Sequence, residues 1–316
     1  MANRKEFYFP SADGKTRIHA VLWTPERAPV GVFQIAHGVA EYALRYDPFA
    51  EYLCAKGLAV AANDHIGHGL SVADGAARLW FGERDGWTHV VDDLHSLRGV
   101  IRDLYPELPC VLMGHSMGSF LARTYLIRYP GTVDAAIIMG TGQQPGFLLA
   151  GGRLTATLIG RRRGFDRFSP TVEKLAFGAY NKPFAPRRTD YDWLSVSTEN
   201  VDRYIADPLC GGEATVGLFR DMLGGIRFIC KPSNVRKMDM DTPVLFVSGA
   251  MDPVGGLGVG VSKAYRSFVD AGVKDATLQL YPGLRHEILN EAEHEQVYAD
   301  IWAWVEKHLR GGRQHG

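Results

Sequence analysis

The pentapeptide Gly114-His115-Ser116-Met117-Gly118 constrains this chain most, because of what stands on either side of it. It directly follows the apolar run Cys110-Val111-Leu112-Met113 and directly precedes Ser119-Phe120-Leu121-Ala122-Arg123-Thr124-Tyr125, a run compatible with a helix. A strand that turns sharply into a helix at a serine lifts the hydroxyl above the sheet edge, and the flanking glycines let the two elements approach without side-chain collision. With 36 glycines and 12 serines in 316 residues, about 0.15 G-x-S-x-G matches are expected by chance, so the flanking strand and helix carry the weight.

Around this turn, strand and helix signals alternate, the pattern of a mostly parallel sheet covered on both faces. Residues 6–9 and 17–23 flank the turn Ala12-Asp13-Gly14 and predict an opening antiparallel hairpin. Further strands are expected at 31–36, 58–63, 109–114, 133–139, 243–248 and 276–281, eight in all. Trp87, Val90, Val91, Leu94, Leu97, Ile101 and Leu104 recur at three- and four-residue steps, which predicts a helix with that stripe on the sheet and Asp92, Asp93, Arg98 and Arg102 in water. Val297, Ile301, Trp304, Val305 and His308 give a last amphipathic helix before a polar tail that holds His315.

The stretch 142–241 breaks this series: it is rich in aromatics and arginines and carries only short helical patterns. A structureless loop of that length is improbable inside a compact domain. The expected organisation is an α/β core from residues 1–141 and 242–316, with 142–241 inserted as a helical lid over the C-terminal edge of the sheet.

Composition excludes several function classes. Lys+Arg and Asp+Glu both number 35, so there is no global electrostatic case for nucleic acid. The chain shows no apolar signal region and no apolar run that could span a bilayer, so the cytoplasm is the expected location. Cys54, Cys110, Cys210 and Cys230 are scattered without metal or redox spacing and are expected as free thiols. Asp64, His65 and His68 lie in a glycine-broken loop with no clear third ligand, and read as a structural turn rather than a metal site. The run Gly255-Gly256-Leu257-Gly258-Val259-Gly260 lacks the spacing of a dinucleotide loop. No metal or organic cofactor is expected.

A nucleophilic serine needs a base, and the base an orienting acid, in chain order serine, acid, histidine for this architecture. Asp252 follows the strand 243–248 and so emerges on the same sheet edge as Ser116, whereas Asp239 and Asp241 precede that strand. His286 follows the last strand, in a strand-to-helix loop between Arg285 and Glu287, a poor place for a core-filling histidine. Two backbone amides aimed at a developing oxyanion complete the requirement. Met117, at the helix start, supplies one, and Val39, in the turn His37-Gly38-Val39-Ala40, the other.

Four ordered motifs then become specific: His37-Gly38-Val39-Ala40-Glu41 with Arg45-Tyr46, Asp64-His65-Ile66-Gly67-His68-Gly69-Leu70-Ser71, the Ser116 pentapeptide, and Arg285-His286-Glu287-Ile288-Leu289-Asn290-Glu291. Together they resemble the monoacylglycerol lipase and lysophospholipase family of α/β-hydrolases, over about residues 5–141 and 242–309. The resemblance implies Ser116 as nucleophile, Asp252 as acid, His286 as base, and the Val39 and Met117 amides as oxyanion hole. Tyr42 departs from it, standing where the family often has histidine, and the lid is longer than in compact bacterial members.

The implied activity is a serine carboxylic ester hydrolase that cleaves monoacyl esters, of monoacylglycerol or lysophospholipid type, through an acyl-serine intermediate. Its expected partner is a small ester with an acyl chain, with transient contact at a lipid interface; the sequence sets no oligomeric state. Phe147, Leu148 and Phe177, among other apolar lid residues, either line an acyl pocket or form the lid's own core. Arg161-Arg162-Arg163 with Arg153 and Arg167 reads as a solvated basic face, with a phosphate or anionic-interface contact as the alternative. A small-ester esterase and an amidase or aminopeptidase on the same scaffold are the rivals, although the latter's usual H-G-G-P-G loop is not matched by Val39-Ala40-Glu41. A non-catalytic small-molecule receptor is the rival from another class.

Overall fold

A computed structural model describes residues 2–310; the tail 311–316, with His315, lies outside the described residues. The strands are β1 (Asn3–Pro10), β2 (Arg17–Thr24), β3 (Gly31–Ala36), β4 (Leu58–Asn63), β5 (Cys110–His115), β6 (Ala135–Met139), β7 (Val244–Gly249) and β8 (Ala276–Tyr281). They form one eight-stranded sheet in the order β1-β2-β4-β3-β5-β6-β7-β8. β1 and β2 pair antiparallel, as do β2 and β4, and all other neighbours are parallel.

The helices are α1 (Asp47–Ala55), α2 (Gly86–Leu104), α3 (Met117–Arg128), α4 (Gly146–Arg163), α5 (Pro170–Phe177), α6 (Thr198–Ala206), α7 (Val216–Ile229), α8 (Pro232–Val235), α9 (Val259–Ala271) and α10 (His294–Arg310). The central strands β3, β4, β5 and β7 are buried at every position, which is why they read as near-continuous apolar runs. Alternate residues feed two cores. Val32 and Ala36 join α2, α3 and α9 on one face, while Phe33 and Ile35 join α1 and α10 on the other. Gln34, in the middle of β3, is tolerated because its Nε2 donates to the Leu94 carbonyl at 2.8 Å. No helix among the described residues is long and apolar enough to cross a membrane. All four cysteines carry free thiols.

The series breaks between β6 and β7, where α4 to α8 are inserted in place of a single crossover helix. Tyr42, the residue that departs from the family pattern, reaches this insertion by donating from its hydroxyl to Asp207 Oδ2 at 2.8 Å.

Two expectations for α2 fail. Leu104 is 54% exposed because the helix ends there and its last turn overhangs the core. Asp93, expected in water, is buried, accepting from Ser11 Oγ at 2.8 Å and from the Ala12 amide at 2.7 Å. It latches the turn of the β1–β2 hairpin to α2. Burial outweighs these hydrogen bonds and pushes its carboxyl from 3.8 up to about 7. Between those values the folded chain binds a proton that the unfolded chain has released, so this residue's contribution to stability falls as pH rises. Asp93→Asn keeps the shape and has no proton to lose. Urea unfolding between pH 4 and pH 7 should show wild type losing up to about 1.4 kcal/mol per pH unit relative to this variant. Parallel pH dependences would refute the buried titration.

Candidate active site

Ser116 sits at the junction of β5 and α3 with φ 54° and ψ −121°, a conformation that non-glycine residues seldom hold. The flanking glycines are required by contact: a Cβ on Gly114 would run into the Gly118 carbonyl, and one on Gly118 into the Ala36 carbonyl. The strained turn thus lies tight against the end of β3. Gly38 closes in from the other side, where a Cβ would stand 3.1 Å from Ser116 Cβ.

Asp252 and His286 come from the ends of β7 and β8. His286 Nδ1 lies 2.9 Å from Asp252 Oδ2, and both residues are buried. Asp252 is fixed by two further donors, Ser248 Oγ to Oδ2 at 3.1 Å and the Val254 amide to Oδ1 at 2.8 Å. Ser116 and His286 line one cavity of about 330 Å³ with Val39. The Ser116 hydroxyl makes no hydrogen bond within the described residues, and neither do the Val39 and Met117 amides.

A buried ionic bridge holds this arrangement. Glu41 accepts from the Gly38 amide at 2.5 Å, from Tyr46 Oη at 2.9 Å and from Arg45 Nη1 at 2.8 Å. Arg45 also makes a two-pronged contact with Glu287, at 2.7 and 2.9 Å, next to His286. His115 lies 3.3 Å from Glu41 through Nδ1 and 3.2 Å from the His286 carbonyl through Nε2. Burial alone would raise the Glu41 carboxyl, but the His115 hydrogen bond and the Arg45 charge hold it well below the usual carboxylate range. Glu287 is likewise held down against burial by Arg45.

The insertion contributes as well. Asn200 Nδ2 donates to Glu287 at 2.8 Å, and Glu291 accepts from Ser195 Oγ at 2.5 Å and from the Val196 amide at 3.0 Å. Trp193 places its ring 5.1 Å from that of His286. Of the apolar residues considered for an acyl pocket, Phe177 lines the cavity, packed against Phe219 at 5.3 Å. Phe147 and Leu148 do not: they are 75% and 55% exposed, because the first turn of α4 points away from the core. Trp193, Leu194, Tyr204 and Ala214 line it instead.

The loop Asp64 to Ser71 lies beneath this site. Asp64 accepts from the Ala43 and Leu70 amides, each at 2.8 Å, and His65 and His68 are buried. The His65 amide donates to His37 Nε2 at 2.9 Å, which ties this loop to the turn that carries Val39. No group of three or more His, Cys, Asp or Glu among the described residues is placed to hold a metal ion.

Removing Arg45 strands two buried carboxylates, so Arg45→Met should destabilise the protein by about 3–5 kcal/mol. Arg45→Lys keeps the charge but loses the fork, and should fall between that variant and wild type. Denaturant unfolding orders the three; indistinguishable midpoints would show that the bridge carries no such load.

With this geometry in place, comparison with known proteins is informative. Residues 27–293 match the family described as serine aminopeptidase, S33. A monoacylglycerol lipase of Mycolicibacterium smegmatis is 32% identical over 314 residues, covering 98% of this chain and 99% of the relative. The human monoglyceride lipase is 26% identical over 93% of this chain and 88% of its own length. Among solved structures, a thermostable carboxyl esterase from Bacillus coagulans in complex with glycerol superposes with a TM-score of 0.91, at 26% identity over 97% of this chain and 99% of that one. A buried acid–histidine pair beside a strained serine, on this sheet and with these relatives, leads to one assignment: the chain belongs to the serine aminopeptidase S33 family and is an α/β-hydrolase enzyme of the monoacylglycerol lipase type.

Proposed function

We propose that this hydrolase cleaves monoacyl esters through an acyl-serine intermediate, with residues 142–241 acting as a lid over the site. In this reading Ser116 attacks the ester carbonyl while His286 Nε2 takes its proton. The amides of Val39 and Met117 stabilise the oxyanion, and Asp252 holds the imidazole in the productive tautomer. His286 then returns the proton to the leaving alcohol and activates water for deacylation. The chemistry is complete with these groups and calls for no metal or organic cofactor.

The observation that carries the reading is the composition of one cavity. Ser116 and His286 form its reactive end, and Phe177, Trp193 and Leu194 of the insertion give it an apolar wall. Its volume of about 330 Å³ stands at the lower end for ligand pockets, which suits one acyl chain better than two or three. The relatives named as monoacylglycerol and monoglyceride lipases favour the same substrate class. An aminopeptidase reading has the family description behind it, and Glu173 and Asp190 at the cavity are carboxylates that an amino terminus would need, but Arg187 pairs with Asp190 at 3.0 Å and Lys174 lines the same cavity, which favours the ester reading.

A fluorophosphonate should label Ser116 alone, read by mass spectrometry of the modified peptide. Ser116→Ala or His286→Ala should lower kcat by about 10⁶, and Asp252→Asn by about 10⁴. Near-wild-type turnover in Asp252→Asn would remove that residue from the mechanism. On a series of glycerol monoesters, each methylene accommodated should contribute about 1–3 kcal/mol to kcat/KM until a cutoff. Phe177→Ala and Trp193→Ala should shift that cutoff. A flat profile, or faster turnover of aminoacyl amides than of any monoester, would overturn the substrate class.

The exposed residues of α4 find a role in the same reading. Phe147, Leu154 and Leu158 lie on one helical face turned to solvent, with Leu148 beside them. Such a face favours transient contact with a lipid interface, where a monoacyl ester resides. Phe147→Asp combined with Leu154→Asp should reduce turnover of vesicle-borne monoester while leaving p-nitrophenyl butyrate hydrolysis intact. Equal effects on both substrates would argue against interfacial contact.

A further inference from the structure

A second cavity, of about 840 Å³, lies where α4 and α7 of the insertion meet α2 and α3 of the core, and shares no lining residue with the Ser116 cavity. Its charge is lopsided in a chain whose formal net charge is +0: seven cationic side chains line it against three acidic ones. Two of the cations are already committed. Arg128 pairs with Asp92 at 2.9 Å, and Arg220 grips Asp221 at 2.7 and 3.0 Å with its guanidinium 4.4 Å above the Phe165 ring. Arg84, Arg161, Arg227 and Lys231 make no side-chain hydrogen bond or ion pair with the described residues. Burial pushes the Asp221 carboxyl up against the opposing pull of Arg220 and, less, of Arg153, which makes no ion pair with it within 4 Å.

The placement of these cations follows helical geometry. Arg153, Thr157 and Arg161 recur at four-residue steps along α4, while Arg220, Gly224, Arg227 and Lys231 recur at three- and four-residue steps along α7 and just past its end. Eight residues of helix separate the Cα positions of Arg153 and Arg161 by about 12 Å along the axis. The paired glycines of α7 let neighbours approach closely: a Cβ on Gly225 would collide with the Trp87 ring, and one on Gly224 would stand 3.3 Å from Arg153 Nε, so Arg153 lies directly against α7. Glu83 and Asp85 line the same cleft, so the five uncommitted cations leave a net excess of three positive charges; a concave wall with such an excess concentrates counter-anions.

We propose that this cleft binds a small anion carrying two or more phosphate groups. Guanidinium forks match phosphate oxygens in pairs, and each phosphate brings up to two negative charges, enough to balance the uncommitted cations. The axial spread of those cations exceeds the reach of a single phosphate. A ligand held there spans the insertion and the core helices, including the helix that starts at Ser116, and therefore stabilises the folded state.

The test uses the full chain and sodium pyrophosphate as probe. Calorimetry should give a saturable single site, and thermal unfolding a rise in Tm absent with sodium chloride of matched ionic strength. Arg153→Glu combined with Arg227→Glu should weaken binding at least about tenfold, since attraction becomes repulsion at two positions. Arg162→Glu, in the same arginine run but outside the cleft, should bind as wild type. Hydrolysis of p-nitrophenyl butyrate reports that each variant is folded. If the double reversal does not fold, Arg161→Gln and Lys231→Gln, made singly, should each weaken binding. Vesicles containing cardiolipin, a lipid with two phosphates, against phosphatidylcholine vesicles, distinguish the source of the phosphates: displacement of pyrophosphate by the former assigns a lipid headgroup, and no displacement a free anion. Absence of binding above the sodium chloride control, or equal loss in Arg162→Glu, would overturn the proposal.

Discussion

The bridge from Glu41 through Arg45 to Glu287 is the interaction on which the site depends. The three residues come from opposite ends of the chain, and their contacts at 2.7 to 2.9 Å are almost fully shielded from water. Through Glu41 the bridge fixes the Gly38 amide, and with it the turn that presents Val39. Through Glu287 it fixes the residue after His286. Desolvating three charges is costly, and a hydrophobic trio of the same volume could be at least as stable. What the ionic arrangement adds is direction: a fork that accepts two carboxylates in one plane sets the spacing of two loops that share no secondary structure.

Rigidity of a different kind serves Ser116. Every residue of α3 from Met117 to Ile127 is buried, so the helix that follows Ser116 has no solvent face through which to relax. Arg123 within it has no carboxylate partner among the described residues. It donates to the Gly142 carbonyl at 2.9 Å and to Gln143 Oε1 at 2.7 Å, its guanidinium 5.8 Å from the Phe268 ring. The first residues of the insertion are thereby pinned to the helix that follows Ser116. They also lie against the loop that follows Asp252, where a Cβ on Gly142 would stand 2.6 Å from the Val254 carbonyl. The positive φ of Ser116 persists because packing on all sides leaves the turn no alternative.

How much of this was legible in the sequence depended on where the ordering force resides. Central strands buried on both faces advertise themselves as apolar runs, while the largely exposed β1 was legible from its hairpin turn and the half-buried β8 from its short strand-like pattern, as was the placement of Ser116, Asp252 and His286 beyond the ends of β5, β7 and β8. α2 was legible as a helix but not at Asp93, because a carboxylate beside Asp92 on a polar face gives no hint that Ser11 and Ala12 reach it across the fold. Glu41, Arg45 and Glu287 stood out within motifs, yet no local rule pairs residues 242 positions apart. Trp193 and Asn200 were invisible, since their positions follow from tertiary contacts of the insertion and not from any period within it.

The helix α4 shows why the insertion resisted reading. Leu149, Ala156 and Gly160 face inward, Phe147, Leu154 and Leu158 face solvent, and Arg153 and Arg161 border the basic cleft. With apolar residues on two faces and arginines on a third, no single stripe emerges, and the pattern that identifies an amphipathic helix is lost. The same spread of faces is what one helix requires if it packs on a core, meets an interface and borders a charged groove at once. Phe147 and Leu148 were therefore sensible candidates for an acyl pocket by residue type, and misplaced by face. In a segment of this kind composition identifies what is available, and only the rotation of the helix against α7 decides which side each residue serves.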